Sequence, residues 1–253
     1  MKHIVVWFII PCLWALQACK NSLPENPEPA LSTENVVDTI SEKSPEIPDF
    51  LVNGKDTLMR VDSYNKNVFW DLKYASTDNF MHRVLYDTLK TVYLQRDVAQ
   101  RLARCQELLT SIDSNLHLLV YDGVRPLAVQ WEMWRALDTI PVAQRGKFVS
   151  NPRNGSVHNY GAAVDLTICD ANKNPLDMGA GYDDSRKIAY PSLEAQFLAS
   201  GELTKQQVAN RQLLRKVMRS QRFSNIPSEW WHFNAFARVV VKARYGVVEF
   251  ELY

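Results

Sequence analysis

The chain has 253 residues, 46% of them apolar and 23% charged, and a net charge of +1. That is the composition of an ordinary globular protein, long enough for one sizeable core plus a tail. It offers no electrostatic case for a nucleic-acid partner. Four cysteines, two of them in the leader, are too few for a disulfide scaffold.

Met1 to Cys19 reads as a targeting segment. Lys2 and His3 form a basic start, and Ile4 to Leu16 is an apolar run too short to cross a membrane comfortably. It ends Leu16-Gln17-Ala18-Cys19, which resembles a bacterial lipoprotein cleavage box with Cys19 as the lipid-bearing residue. Acyl chains anchor because each buried CH₂ adds ~0.8 kcal/mol. An ordinary cleaved signal peptide is the alternative. Residues 20–49 form a linker rich in Pro, Ser and Glu that cannot offset its ordering entropy. A single domain is expected over 50–253.

Leu58 to Asp71 carries apolar and aromatic residues that suit one or two early strands. Arg96 to Ile112 is an amphipathic helix by the recurrence of Val98, Leu102, Cys105, Leu109 and Ile112. Leu116 to Tyr121 reads as a strand, with His117 in its middle as a remote candidate ligand. Asp122-Gly123-Val124-Arg125-Pro126 is a tight turn that brings Asp122 close to Arg125, and Pro126 suits the start of a helix to Leu137. The plain reading of that pair is a surface ion pair worth under ~1 kcal/mol. Pro141 to Gly155 is polar and turn-rich. A strand Ala163 to Ile168, a loop Asp170 to Pro191, a helix capped by Thr204 and running to about Ser220, and a strand Trp231 to Phe236 follow. Glu229 is expected in the loop before that last strand, and residues 249–253 as a final strand paired with the sheet. A Cys105–Cys169 bridge is possible in an exported protein.

The chemistry concentrates around Ser156-Val157-His158-Asn159-Tyr160-Gly161-Ala162-Ala163-Val164-Asp165. His158 and Asp165 would lie ~10 Å apart along one helix, too far for one ion. On one unbroken strand their odd separation would point them to opposite faces. A loop or bulge at Gly161 followed by a strand lets His158 fold back over Asp165. Glu229-Trp230-Trp231-His232 supplies a second imidazole and an acid that could serve as base. Two histidines and a carboxylate suit a catalytic zinc, with a fourth position for water, whereas structural zinc closes with four protein ligands.

These motifs resemble those of the zinc peptidases that include D-alanyl-D-alanine dipeptidases (VanX-like) and D-Ala-D-Ala carboxypeptidases. Ser156, His158, Gly161 and Asp165 match their first zinc motif, and Glu229 with His232 the second. Asp122, Arg125 and Pro126 match a further segment. Lys73 to Phe80 resembles their Tyr-Ala-Thr-x-x-Asn-Phe stretch, and Asp177 to Asp183 their Asp-Met-Gly-x-x-Phe-Asp stretch, with Ser76 and Tyr182 as departures. The resemblance implies an α+β fold of the Hedgehog/DD-peptidase type, an antiparallel sheet with packed helices and zinc at the sheet. It implies one Zn²⁺ held by His158, Asp165 and His232, with Glu229 as general base and Arg125 facing the oxyanion. Substrate contacts would come from Ser156 to the terminal carboxylate, from Asp122 and Tyr74, and from Asp183 (or adjacent Asp184) to the free ammonium. A pair of solvated acids is the bland reading of the 183–184 loop, and core packing that of Tyr74. The expected activity is hydrolysis of a D,D-dipeptide by an exported, membrane-anchored lipoprotein of the cell envelope. Carboxypeptidase action on peptidoglycan peptides (D,D or L,D) and a non-catalytic zinc domain that binds wall fragments are the alternatives.

Overall fold

The computed structural model describes residues 48–54 and 56–251; the leader, Cys19 and the linker lie outside them. Two sheets with helices packed against them make an α+β fold. The smaller sheet orders β1 (Phe50–Asn53), β2 (Asp56–Arg60) and β4 (Tyr93–Gln95), all antiparallel. The larger has β3 (Phe69–Trp70), β5 (His117–Asp122), β6 (Ala163–Cys169), β8 (Glu229–Asn234) and β7 (Ser224–Ile226), in that order. Its pairs are antiparallel except β3 with β5. Strands β5 and β6 are buried at every position, so their sequences read as apolar runs rather than alternating ones.

Helix α1 (Arg96–Ile112) follows β4 directly and packs on β2, β4, β5 and α5 (Lys205–Ser220). Val98, Leu102, Cys105 and Leu109 form its buried stripe, whereas Ile112 is 43% exposed at the helix end. Thr204 caps α5 as expected, its hydroxyl accepting from Gln207 N while the Gln207 side chain accepts from Thr204 N. The bridge Cys105–Cys169 is absent: both thiols are free and buried, and burial pushes each up to about 12. His117 is not among the metal-capable groups that the described residues bring together. Its Nδ1 meets Asn67 O at 3.1 Å and its ring stacks on Phe69 at 4.4 Å.

Helices α2 (Leu127–Ala136), α3 (Val142–Arg145), α4 (Glu194–Ser200) and α6 (Arg238–Arg244) complete the set. The C-terminal expectation needs correction. Residues 246–251 form no strand; Leu127 N donates to Val248 O and Ala128 N to Glu249 O. The segment thus satisfies two of the open N–H groups at the start of α2 instead of extending a sheet. The Glu251 carboxylate accepts from Asp87, Thr88 and Leu89 N at 2.7–2.8 Å, which ties the end of the chain to a distant loop.

Candidate active site

Three neighbouring strands build the site in a row. In β6, Asp165 stands directly opposite His232 of β8 and, across the other edge, opposite Asp122 of β5. Cross-strand partners point to one face with Cβ atoms about 5 Å apart, so all three side chains converge. His158 arrives from a one-turn 3-10 helix, Val157–Tyr160, just before β6. Ser156 caps that turn, and Gly161 ends it with φ +65°. A Cβ on Gly161 would sit 2.9 Å from both Leu58 Cδ2 and Val124 Cγ2, so glycine is required for space as well as for φ. The turn-then-strand reading of this motif holds.

Glu229 departs from its expected place. It is the first residue of β8, not part of the preceding loop. Three residues from His232, a regular strand would turn it to the opposite face. The β7–β8 pairing slips instead: Asn225 faces Phe233 and the next residue, Ile226, faces Glu229. Residues 230–232 are thereby looped out of that ladder, and Glu229 Oε2 comes within 3.9 Å of His232 Nδ1.

The protons are fixed by outer contacts. His158 Nδ1 lies 2.8 Å from the carbonyl of Gly123, an acceptor, so that nitrogen carries the hydrogen and Nε2 offers a lone pair. His232 Nε2 lies 3.0 Å from Asn234 Oδ1, taken as the amide oxygen, which turns the Nδ1 lone pair inward by the same logic. Those two inward nitrogens are 3.1 Å apart, and Asp165 Oδ1 lies 3.3 Å and 3.0 Å from them. Burial works against the Asp165 carboxylate, but His158 and His232 outweigh it and hold its pKa well below the ordinary value. Three acceptors face one another in a buried space with no donor among them in these tautomers. A cation resolves that arrangement, and the donor set of two imidazoles and a carboxylate suits zinc. Gly123 O and Asn234 orient the ligands as second partners of metal-bound histidines commonly do.

Around this triad runs a cleft of about 230 Å³ lined by Tyr74, Arg125, Ser156, Asp183, Glu229 and Trp231 among others. Arg125 and Asp122 are not a surface pair: Arg125 Nη2 is 2.6 Å and Nε 2.9 Å from Asp122 Oδ2, and both residues are buried. Tyr86 OH donates to the other Asp122 oxygen at 2.8 Å, so Asp122 anchors the guanidinium rather than facing the cleft. Tyr74 is both core and wall, buried with its ring 5.0 Å from the Arg125 Cζ. Its hydroxyl donates to Asp183 at 3.1 Å. Asp184 is turned away and pairs with Arg186 at 2.6 Å, which leaves Asp183 as the acid of that loop in the site.

Residues 55–249 match the model of a family described as D-Ala-D-Ala dipeptidase. The chain belongs to this family. A D-alanyl-D-alanine dipeptidase of Escherichia coli (strain K12) is 36% identical over 166 residues, covering 64% of this chain and 76% of that one. One from Synechocystis is 29% identical (56% and 68% covered), and one from Streptomyces coelicolor 28% identical (68% and 88%). A zinc-bound mutant of the vancomycin resistance D,D-pentapeptidase VanY aligns with a TM-score of 0.31 at 14% identity, covering 62% of this chain and 81% of its own, too remote for a geometric argument. Membership of the dipeptidase family and the triad together make this chain a zinc metallopeptidase.

Several contributors escaped the sequence reading: the Gly123 carbonyl, Asn234, Tyr86 and Tyr182, whose hydroxyl reaches Asp165 Oδ2 at 3.2 Å. Asn234 was within reach of pattern, since it stands two residues from His232 and shares its face.

Asp183 carries a testable charge. Burial first, then the nearby Asp165, push its carboxyl up to about 8. Its folded value lies above the unfolded one, so folding binds a proton. Its contribution to stability is present at low pH and is lost as pH climbs from ~4 through about 8. Asp183→Asn removes that loss. In melts of metal-free protein, the Tm gain of the variant over wild type should grow from pH 5 to pH 8.5. The backbone at 183 has φ 60°, which asparagine tolerates well at any pH, so only the growth with pH reports the charge. A constant difference would show that Asp183 is not held protonated.

Proposed function

We propose that this protein hydrolyses D-alanyl-D-alanine to two D-alanines. The observation that carries the reading is the buried triangle of His158, Asp165 and His232 lone pairs opening on a cleft that also holds Glu229, Arg125 and Asp183. Zinc in that triangle would acidify a water and polarise the peptide carbonyl. Glu229 takes the proton of the attacking water and delivers it to the departing amide nitrogen. Burial chiefly, with Asp165 adding and His232 opposing, raises its pKa and makes it a better base.

Arg125 donates to the oxyanion. Its Nε, one N–H of Nη2 and one of Nη1 are spent on Asp122 and Gln130, which leaves donors free while locking the plane of the guanidinium. Prior fixing of such a donor is what makes electrostatic stabilisation effective. Asp183 and Tyr74 receive the substrate's ammonium, and Ser156, whose hydroxyl proton is uncommitted in its capping contact, can donate to the far carboxylate. An acid at the amino end favours a free dipeptide over an acylated chain, which ranks dipeptidase above carboxypeptidase. Glu229 and Arg125 at the triad argue against a silent zinc domain.

The test is release of D-alanine from the free dipeptide by zinc-loaded protein, its loss on chelation, and slower cleavage of the N-acetylated dipeptide. No release with zinc present ends the reading; a preference for the acylated substrate transfers it to carboxypeptidase. The Leu16–Cys19 box and the apolar run before it support an exported lipoprotein anchored through Cys19 and acting in the cell envelope. Labelled fatty acid should enter wild type and not Cys19→Ala; equal labelling would refute the anchor.

A further inference from the structure

Asp183 and Glu229 border both this cleft and a second cavity of about 320 Å³ lined by Phe80, Tyr190 and Trp231. Ser156, Asn234, Phe236 and Arg238 line the cleft and not that cavity. Two guanidinium groups line the cleft. Arg125 is committed to Asp122 and lies 3.5 Å from Asp165. Arg238, at the first position of α6, has no hydrogen-bond or ion-pair partner among the described residues, and it is exposed. The Asp183 carboxyl, which an arriving ammonium would ionise, and the uncommitted Arg238 guanidinium offer partners for both charges of a zwitterionic peptide.

We propose that Arg238 is a specificity residue that reads the free C-terminal carboxylate of the substrate. The inference rests on the dipeptidase reading above and adds to it a determinant from outside its motifs. In the folded protein β8 ends at Asn234 and α6 begins at Arg238, so a short connection brings a residue of α6 to the same cleft as His232. Arg238 adds a full charge where Ser156 offers only a neutral hydroxyl, and a charge-assisted contact is the stronger of the two. The consequence is discrimination: a peptide whose terminal carboxylate is amidated or extended loses the charge-assisted Arg238 contact, whereas the Ser156 hydroxyl can still donate to its carbonyl oxygen.

The experiment compares D-alanyl-D-alanine with D-alanyl-D-alaninamide on zinc-loaded wild type, Arg238→Gln and Arg238→Lys. Arg238→Gln should lower kcat/KM for the free acid about ten- to a hundredfold, chiefly through KM. Turnover of the amide should be unchanged, so that the preference between the two substrates collapses. Arg238→Lys should restore most of it. Equal losses on both substrates, or a preference that survives in Arg238→Gln, would overturn the assignment. Wild type that cleaves neither substrate would instead remove the dipeptidase reading on which it stands. Metal content and Tm should not move, since the side chain is exposed.

Discussion

Glu229→Gln should leave the protein folded and zinc-loaded while kcat falls by about two to four orders of magnitude. The geometry separates this residue from the metal set. Its oxygen lies 3.9 Å from His232 Nδ1, whereas the three ligand atoms lie within 3.3 Å of one another. Glutamine keeps the shape and the cleft but cannot hold a proton between water and the leaving nitrogen. Dipeptide binding should therefore persist in the variant, measurable by calorimetry, with the loss confined to kcat. The direction of the Glu229 pKa adds a second readout. Because burial raises it above the ordinary carboxylate value, the acid limb of the wild-type kcat profile should lie above the range of a free glutamate and vanish in the variant. Turnover within tenfold of wild type would take Glu229 out of the proton path.

Much of this site was legible because its residues are local in sequence or carry unusual chemistry. His158 and Asp165 could be reconciled with one ion only through a break at Gly161, and the left-handed φ there supplies it. Helices α1 and α5 announced themselves by periodicity and, for α5, by the Thr204 cap. What could not be read depends on distant strands. The placement of Glu229 beside His232 requires the slipped β7–β8 ladder, and no local propensity encodes a register that two separate strands settle between them. The buried state of Asp122 and Arg125 has the same origin: sequence gives their proximity, but only the packing of Tyr74 and Tyr86 over them turns an ordinary ion pair into a fixed one. The last residues pattern as a strand because Phe250 and Glu251 sit in an alternating run. Their backbone neighbours are spent on the start of α2, and strand-like patterning does not reveal a competing partner for hydrogen bonds.

Zinc added to metal-free protein should raise Tm by about 8–16 °C at a thousandfold excess over Kd, and His232→Ala should abolish the rise. The figure follows from about 4 kcal/mol of binding linkage and about 2–4 °C per kcal/mol for a domain of this size. The metal-free site explains why the effect should be large. With both imidazoles neutral, two nitrogens and a carboxylate oxygen crowd within 3.3 Å and no hydrogen lies between them. A proton is the substitute for the ion. Burial disfavours charge on His232, but its hydrogen bond to Asp165 wins and raises its pKa, so without metal a proton persists there to higher pH than on a free imidazole. Metal and proton then compete for one place. Zinc uptake should release a proton, and apparent affinity should weaken as pH falls, both readable by calorimetry in buffers of different ionisation enthalpy. In His232→Ala the competition is gone along with the ligand, so zinc should neither shift the melt nor release the proton. A full Tm rise in that variant would mean that the ion is held elsewhere, and the catalytic account built on this triangle would fall with it.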